Sequence, residues 1–198
     1  MKIIGLTGGI GTGKSTVSAY LSGKNIKICD ADKIAHDITA PGSPVLADIR
    51  KYFGDEVFAA DGSMDRKKMA ELVFADPKQK AKLETLTMPK IIAAIRDEAE
   101  SARNSGREGL FIIDAPLLFE VGLDTLCDAV WLVDAEDDIR IRRVMQRDGC
   151  SAEHVKMRMK NQIPRPKAQK LANEIIDNSG NEESLYLQVD ALIKKYED

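Results

Sequence analysis

The residues best suited to chemistry lie near the N-terminus, at positions 8–15. They read Gly-Gly-Ile-Gly-Thr-Gly-Lys-Ser and match the pattern G-x-x-x-x-G-K-[ST] at every fixed position. Glycines let the backbone curl so that successive N–H groups point at one anion, and the helix that follows adds the positive end of its dipole. Lys14 is suited to reach the β- and γ-phosphates of a nucleotide, and the Ser15 hydroxyl is suited to bind Mg²⁺. The segment therefore predicts a nucleotide site whose contacts are Gly8, Gly9, Gly11, Thr12, Gly13, Lys14, Ser15 and Thr16.

Two aspartates follow the second apolar run of the chain. Asp30 and Asp32 are expected at the carboxyl end of a buried strand, where ligands bind in open α/β sheets. One carboxylate there can orient an attacking hydroxyl or accept its proton. The other can cap the helix expected to begin near Lys33. We assign the catalytic role to Asp32 and the capping role to Asp30, because one cap suffices for one helix.

A basic segment spans residues 140–170, with ten Lys or Arg against two Asp or Glu. Arg140, Arg143 and Arg147 are three and four residues apart, which predicts one helical face, with Val144 opposite them. Because the segment follows the fourth expected strand, we interpret it as a lid that closes on a phosphoryl group. A solvated helix face and an RNA-binding patch are the alternatives, although few aromatic residues are present there to stack on bases.

Five short apolar runs predict the strands that must hold these residues. They cover residues 3–7, 26–29, 110–114, 129–133 and 174–177, with helical periods between them. This alternation predicts an α/β fold, a parallel sheet with helices on both faces. Residues from about 33 to 104 show helical periods and no strand, so we expect a helical insertion there. The whole chain, 1–198, is predicted to form one domain that carries this insertion and a lid at about 140–170.

Composition narrows the possible functions. The chain has 198 residues and a net charge of −3, which argues against bulk binding to nucleic acid or acidic membranes. Its three cysteines show no metal-binding spacing and are expected to be reduced. No apolar run approaches the ~20 residues of a membrane span, so we expect a cytoplasmic protein that does not bind a membrane. We also expect no obligatory protein partner.

The class of phosphate-loop protein follows from motifs that are missing. A GTPase switch would carry N-K-x-D to read its base, and this sequence has none. A large mechanical ATPase would need a longer chain. A small-molecule kinase that uses ATP and Mg²⁺ remains. From residues alone the acceptor could be a nucleotide, a sugar or a hydroxy acid, and a non-enzymatic ATP- or RNA-binding regulator is the alternative from another class.

Six segments in order resemble the dephospho-coenzyme A kinase family. They are the phosphate loop, Asp30-Ala31-Asp32, residues 116–120 (Pro-Leu-Leu-Phe-Glu), Gln146-Arg147-Asp148, Gln162 and residues 176–180 (Ile-Asp-Asn-Ser-Gly). The resemblance implies a three-layer P-loop kinase fold with a five-stranded parallel sheet, a helical acceptor-binding insertion and an arginine-bearing lid. It also implies transfer of the ATP γ-phosphoryl to the ribose 3′-hydroxyl of dephospho-coenzyme A, the last step of coenzyme A biosynthesis.

The same resemblance implies roles for individual residues. Asp32 would be the base or would orient the hydroxyl, Arg143 would be the lid arginine, and Arg147 would be a second phosphate contact. Asn178 would lie near the adenine, and the acceptor would contact Leu117 and Leu118. The family pattern calls for no arginine at position 140. It usually has His-Pro where this chain has Met88-Pro89, so an acceptor contact by that histidine is not expected here.

Overall fold

The computed structural model describes residues 1–197 and contains the five expected strands. Each lies within one residue of its predicted bounds at either end. The strands are β1 (Lys2–Thr7), β2 (Lys27–Asp30), β3 (Leu110–Asp114), β4 (Ala129–Asp134) and β5 (Glu174–Asp177). The helices are α1 (Lys14–Gly23), α2 (Ala31–Asp37), α3 (Pro44–Phe53), α4 (Arg66–Ala75), α5 (Pro77–Arg103), α6 (Asp137–Asp148), α7 (Ala152–Lys160), α8 (Arg165–Leu171) and α9 (Glu182–Glu197).

All strand pairs are parallel, and the order across the sheet is β2-β3-β1-β4-β5. Strand β1 is central, with β3 on one side and β4 on the other. The register pairs Leu6 with Asp114 and Thr7 with Leu132. The carboxyl ends of β1, β3 and β4 therefore meet at one edge, where the phosphate loop begins. The predicted α/β fold with a five-stranded parallel sheet is confirmed.

The chain divides into two compact units, and the sheet lies in the first, which comprises Met1–Asp30 and Glu98–Asp198. One face of β1 places Ile4 and Leu6 in a fully buried core with Trp131 of β4. Helices α1 and α9 contribute apolar side chains such as Leu21 to the same core. Burial in this unit explains why the strands read as nearly continuous apolar runs.

The second unit, Ala31–Asp97, is helical and has its own core. Ile49 of α3 is fully buried there, and Met69 of α4 packs in the same cluster. Asp76 accepts the Lys78 N–H at 2.8 Å, so a carboxylate precedes the proline that opens α5, as the sequence predicts. The predicted insertion ended near residue 104; α5 continues to Arg103, but its residues from 98 onward belong to the first unit.

Cys29 and Cys127 have thiols of low reactivity. Burial raises the pKa of each to about 12. Within residues 1–197, no helix has both the length and the apolar character that a bilayer crossing requires.

Candidate active site

Residues 8–13 form a tight loop between β1 and α1. Thr12 is 1% exposed and closes the loop on itself, since its N–H and its hydroxyl both donate to the Gly9 carbonyl, at 3.2 and 2.9 Å. Helix α1 begins at Lys14, directly after the loop. The loop thus leads directly into the N-terminus of a helix, where the helix dipole and the N–H groups not used within the protein can bind phosphate.

The last glycine of the loop is required by both conformation and space. Gly13 has φ of +88°, and a Cβ there would lie 2.1 Å from the Asn178 amide nitrogen. Asn178 is buried and donates from Nδ2 to the Thr12 carbonyl at 2.8 Å. Asn178 therefore supports the phosphate loop from the segment after β5. The adenine contact implied by the resemblance stays a prediction.

Lys14 forms a salt bridge with Asp114, the last residue of β3. The Asp114 side chain is 7% exposed, so its carboxylate depends on this cation for compensation in the described structure. Ser15 follows on the exposed side of α1. The Lys14 ammonium and the Asp114 carboxylate thus lie together at the carboxyl end of the sheet, and Ser15 is the next residue along α1.

Arg143 of α6 lies beside the same loop. Its Nη1 atom is buried and has no hydrogen-bond partner within residues 1–197, and it is 3.8 Å from the position a Cβ on Gly13 would take. A buried guanidinium nitrogen without an acceptor is costly. Its place next to a phosphate loop indicates that an anion is its natural partner.

The sequence predicted Arg140 and Val144 on opposite faces of α6, but the structure places them on the same face. Both residues are buried, at 6% and 1% exposure, on the side of α6 that packs against the phosphate loop. The close approach is possible because Gly11 has no side chain: a Cβ there would lie 2.6 Å from the Arg140 carbonyl and 2.9 Å from Val144. An arginine is tolerated on this buried side because the Ile10 carbonyl and Asp137 accept its hydrogen bonds, at 3.0 and 3.1 Å.

Arg147 is exposed, and its guanidinium pairs with Asp148 at 2.6 and 3.0 Å. Arg158 of α7 donates to the same carboxylate at 2.7 Å. Arg147 and then Arg158 hold the pKa of the Asp148 carboxyl well below its usual range. The basic segment is thus partly neutralised by its own acids, and a phosphate contact by Arg147 stays a prediction.

A cavity of about 200 Å³ opens beside the start of the loop. Gly8, Glu120 and Arg165 are among its lining residues. Arg165 is anchored at 2.9 Å to both oxygens of Asp134, a buried carboxylate at the end of β4. The cavity is therefore bounded by the loop and by the part of the basic segment that opens α8.

The predicted acceptor residues lie in different environments. Leu117 is 41% exposed, whereas Leu118 is fully buried. The Leu118 side chain packs against Gly5, where a Cβ would lie only 2.8 Å from it. Asp32 lies in the first turn of α2, in the second unit, and Asp30 ends β2. An acceptor contact by Leu118 would have to use its backbone.

Comparison with known proteins assigns the chain. The family model described as dephospho-CoA kinase matches residues 2–184. The chain belongs to the dephospho-CoA kinase family. It is 40% identical over 193 residues to a dephospho-CoA kinase from Anaeromyxobacter dehalogenans, which covers 98% of this chain and 91% of the relative.

Two solved structures agree with this assignment. A structure from Thermus thermophilus superposes with a TM-score of 0.80 at 32% identity, covering 98% of this chain and 97% of the other. The dephospho-CoA kinase from Campylobacter jejuni gives a TM-score of 0.76 at 29% identity, covering 98% and 96%. The resemblance, the kinase class and the use of ATP are confirmed.

Two carboxylates at the candidate kinase site were not singled out from the sequence. Asp114 and Asp134 each end a strand whose other residues are all apolar. An acid at the end of a buried strand next to the phosphate-loop strand is the signal that could have identified both. Gln162, quoted only as part of the family pattern, accepts the Ile10 N–H at 2.9 Å, a contact that no spacing in the sequence reveals.

Proposed function

We propose that this chain transfers the γ-phosphoryl of ATP to the ribose 3′-hydroxyl of dephospho-CoA, giving coenzyme A. The observation that carries the proposal is the convergence on one phosphate loop of Lys14 and of Arg143 Nη1, which has no hydrogen-bond partner among residues 1–197. In a chain of the dephospho-CoA kinase family, these cations meet the donor's phosphates. Phosphoryl transfer depends chiefly on positioning and on neutralising charge, and both residues supply this.

The donor side uses the loop and its neighbours. The loop N–H groups and Thr16 bind the phosphates, and Lys14 exchanges Asp114 for the β- and γ-phosphates when ATP binds. Mg²⁺ fits the oxygen donors present, since it prefers hydroxyl, carboxylate and phosphate oxygens, and Ser15 and Asp114 would hold it. When bound, the ion neutralises phosphate charge. Arg143 binds the transferred group, Arg147 is a further phosphate contact, and Asn178 lies near the adenine.

The acceptor side is proposed to use Asp32, Leu117 and Leu118. Asp32 orients the 3′-hydroxyl or accepts its proton, and what supports this is its position in the chain, two residues beyond the end of β2. Leu117 offers an exposed side chain, and Leu118 a backbone contact. The helical segment at about 33–104 is proposed to bind the rest of the acceptor, and residues 140–170 to act as the lid.

The proposed setting is the cytoplasm, with a small molecule as the acceptor. A net charge of −3 and cysteines without a disulfide support this setting. No nucleic acid, membrane or obligatory protein partner enters the proposal.

An acceptor panel tests the reaction. ADP release will be followed with dephospho-CoA, adenosine, AMP or shikimate as acceptor, with Mg²⁺ or with excess EDTA. We expect turnover with dephospho-CoA at roughly 10²-fold or more over every other acceptor, because a site that pairs with an acceptor's polar groups rejects analogues that lack them. EDTA should abolish it. Faster turnover with a nucleoside or a nucleotide would favour the nucleoside-kinase alternative instead.

The two aspartates at the end of β2 are separated by a matched pair of variants. Asp32→Asn keeps the shape and polarity of the side chain but cannot accept a proton, so kcat should fall by roughly 10²-fold or more. Steady-state kinetics and thermal melting are the measurements, and Tm should change by less than about 2 °C, as for an exposed substitution. Asp30→Asn should keep kcat within about threefold. The opposite ranking would reverse the two roles.

A further inference from the structure

Two successive peptide groups of the phosphate loop, those on either side of Ile10, are held by side chains distant in the sequence. The Ile10 N–H donates to Gln162 Oε1 at 2.9 Å, and the Ile10 carbonyl accepts from Arg140 Nε at 3.0 Å. Gln162 follows α7, and Arg140 lies in α6. The protein therefore satisfies both backbone polar groups of Ile10, one in each of the two peptide bonds that flank its Cα.

Both side chains also lie next to Gly9. A Cβ on Gly9 would lie 2.4 Å from Arg140 Nη2 and 3.2 Å from Gln162 Oε1, so glycine leaves the space that they occupy. Arg140 is fixed further by Asp137, which accepts from Nη1 at 3.1 Å. A 6% exposed arginine engaged from Nε and Nη1 has little freedom to leave.

These contacts determine what the loop can do. A glycine-rich loop has many conformations, and ordering it on binding would weaken affinity for the nucleotide. With the two peptide groups that flank Ile10 fixed, the loop keeps its curvature without a ligand, and its remaining N–H groups stay available to the phosphates. Preorganisation of this kind strengthens binding without adding a contact to the ligand.

We propose that Arg140 and Gln162 are positioning residues that preorganise the phosphate loop for the polyphosphate of the donor nucleotide. The proposal rests on the proposed function in naming that donor. It extends that function, because the family pattern calls for no arginine at position 140. Neither residue needs to touch the nucleotide, because both act through the backbone of Ile10.

The test compares Arg140→Met, Gln162→Ala and the double variant by calorimetric titration with ADP and, separately, with dephospho-CoA. Each single change should raise the Kd for ADP about tenfold, as expected for a lost hydrogen bond that fixes a binding loop. The double variant should lose far less than the hundredfold product, because both side chains hold the backbone of the same residue, Ile10. The Kd for dephospho-CoA should stay within about twofold, and KM for ATP should rise with kcat nearly unchanged.

Arg142→Met and Asn161→Ala are the matched controls. Both residues are exposed, one on the same helix as Arg140 and the other next to Gln162. Each control should leave the Kd for ADP within about twofold of the unmodified chain. Thermal melting of every variant verifies folding before titration.

Three results would overturn the proposal: an unchanged Kd for ADP in folded Gln162→Ala, equal losses for ADP and dephospho-CoA, or fully multiplicative effects in the double variant. If Arg140→Met does not fold, Gln162→Ala alone decides the question. If the unmodified chain binds ADP but does not phosphorylate dephospho-CoA, the proposed function fails. The ADP comparison then still tests the positioning role.

Discussion

Replacing Lys14 by alanine is expected to lower kcat on the order of 10³-fold, because the lysine charge at the β- and γ-phosphates acts where negative charge develops in phosphoryl transfer. The measurement is ADP release at saturating ATP and dephospho-CoA. Activity within about tenfold of the unmodified chain would contradict the assignment of the loop.

The structure shows that this variant will also lose stability. Asp114 is buried and pairs with Lys14, so Lys14→Ala leaves a carboxylate without its cation. Breaking such a pair costs about 3 kcal/mol, or roughly 6–12 °C in Tm for a chain of this size. The double variant Lys14→Ala with Asp114→Asn should recover most of the Tm without recovering activity. Recovery of both would show that the activity loss comes from unfolding.

Replacing Arg143 by alanine should lower kcat by about 10³-fold, and Arg143→Lys by at least roughly tenfold. A guanidinium can engage two phosphate oxygens at once, whereas an ammonium is a point charge. Single-turnover kinetics with ATP in excess measures the effect on the transfer step. Tm should not fall, since Nη1 has no hydrogen-bond partner to lose within the described residues 1–197.

The control for Arg143 must come from the solvent side of α6. Arg140 lies on the same helix at a position where the family pattern calls for no arginine, but it is buried against the phosphate loop and is therefore unsuitable as a control. Arg142→Lys is the matched control, because Arg142 is exposed on the same helix and its Nε donates to the Asp138 carbonyl one turn earlier, at 3.4 Å. If Arg143→Lys is as silent as Arg142→Lys, the arginine segment is a solvated face.

Much of the fold was predictable because the determining signals are local. The five buried strands are visible in the sequence as apolar runs. The phosphate loop requires glycine at positions such as Gly13, whose φ of +88° disfavours any residue with a side chain. Asp76 before Pro77 marks a helix start that depends on neighbouring residues only.

What the sequence missed depends on contacts between distant residues. Which face of α6 is buried depends on the close packing of this helix against Gly11. Helical spacing alone does not indicate that packing. The pairing of Lys14 with Asp114 spans 100 residues and requires the strand order, in which β3 lies next to β1. The acceptor contact of Leu118 stays a prediction, but the burial of its side chain in the space left by Gly5 is a long-range packing feature that the sequence does not indicate.

The identity of the product tests the central claim most directly. The chain will be incubated with ATP, Mg²⁺ and dephospho-CoA, and the product examined by ³¹P–¹H correlation NMR and mass spectrometry. We expect one added phosphate, coupled to the ribose H3′ proton, with one ADP formed per product. A phosphate at any other position, or ADP formed without a phosphorylated acceptor, would contradict the account.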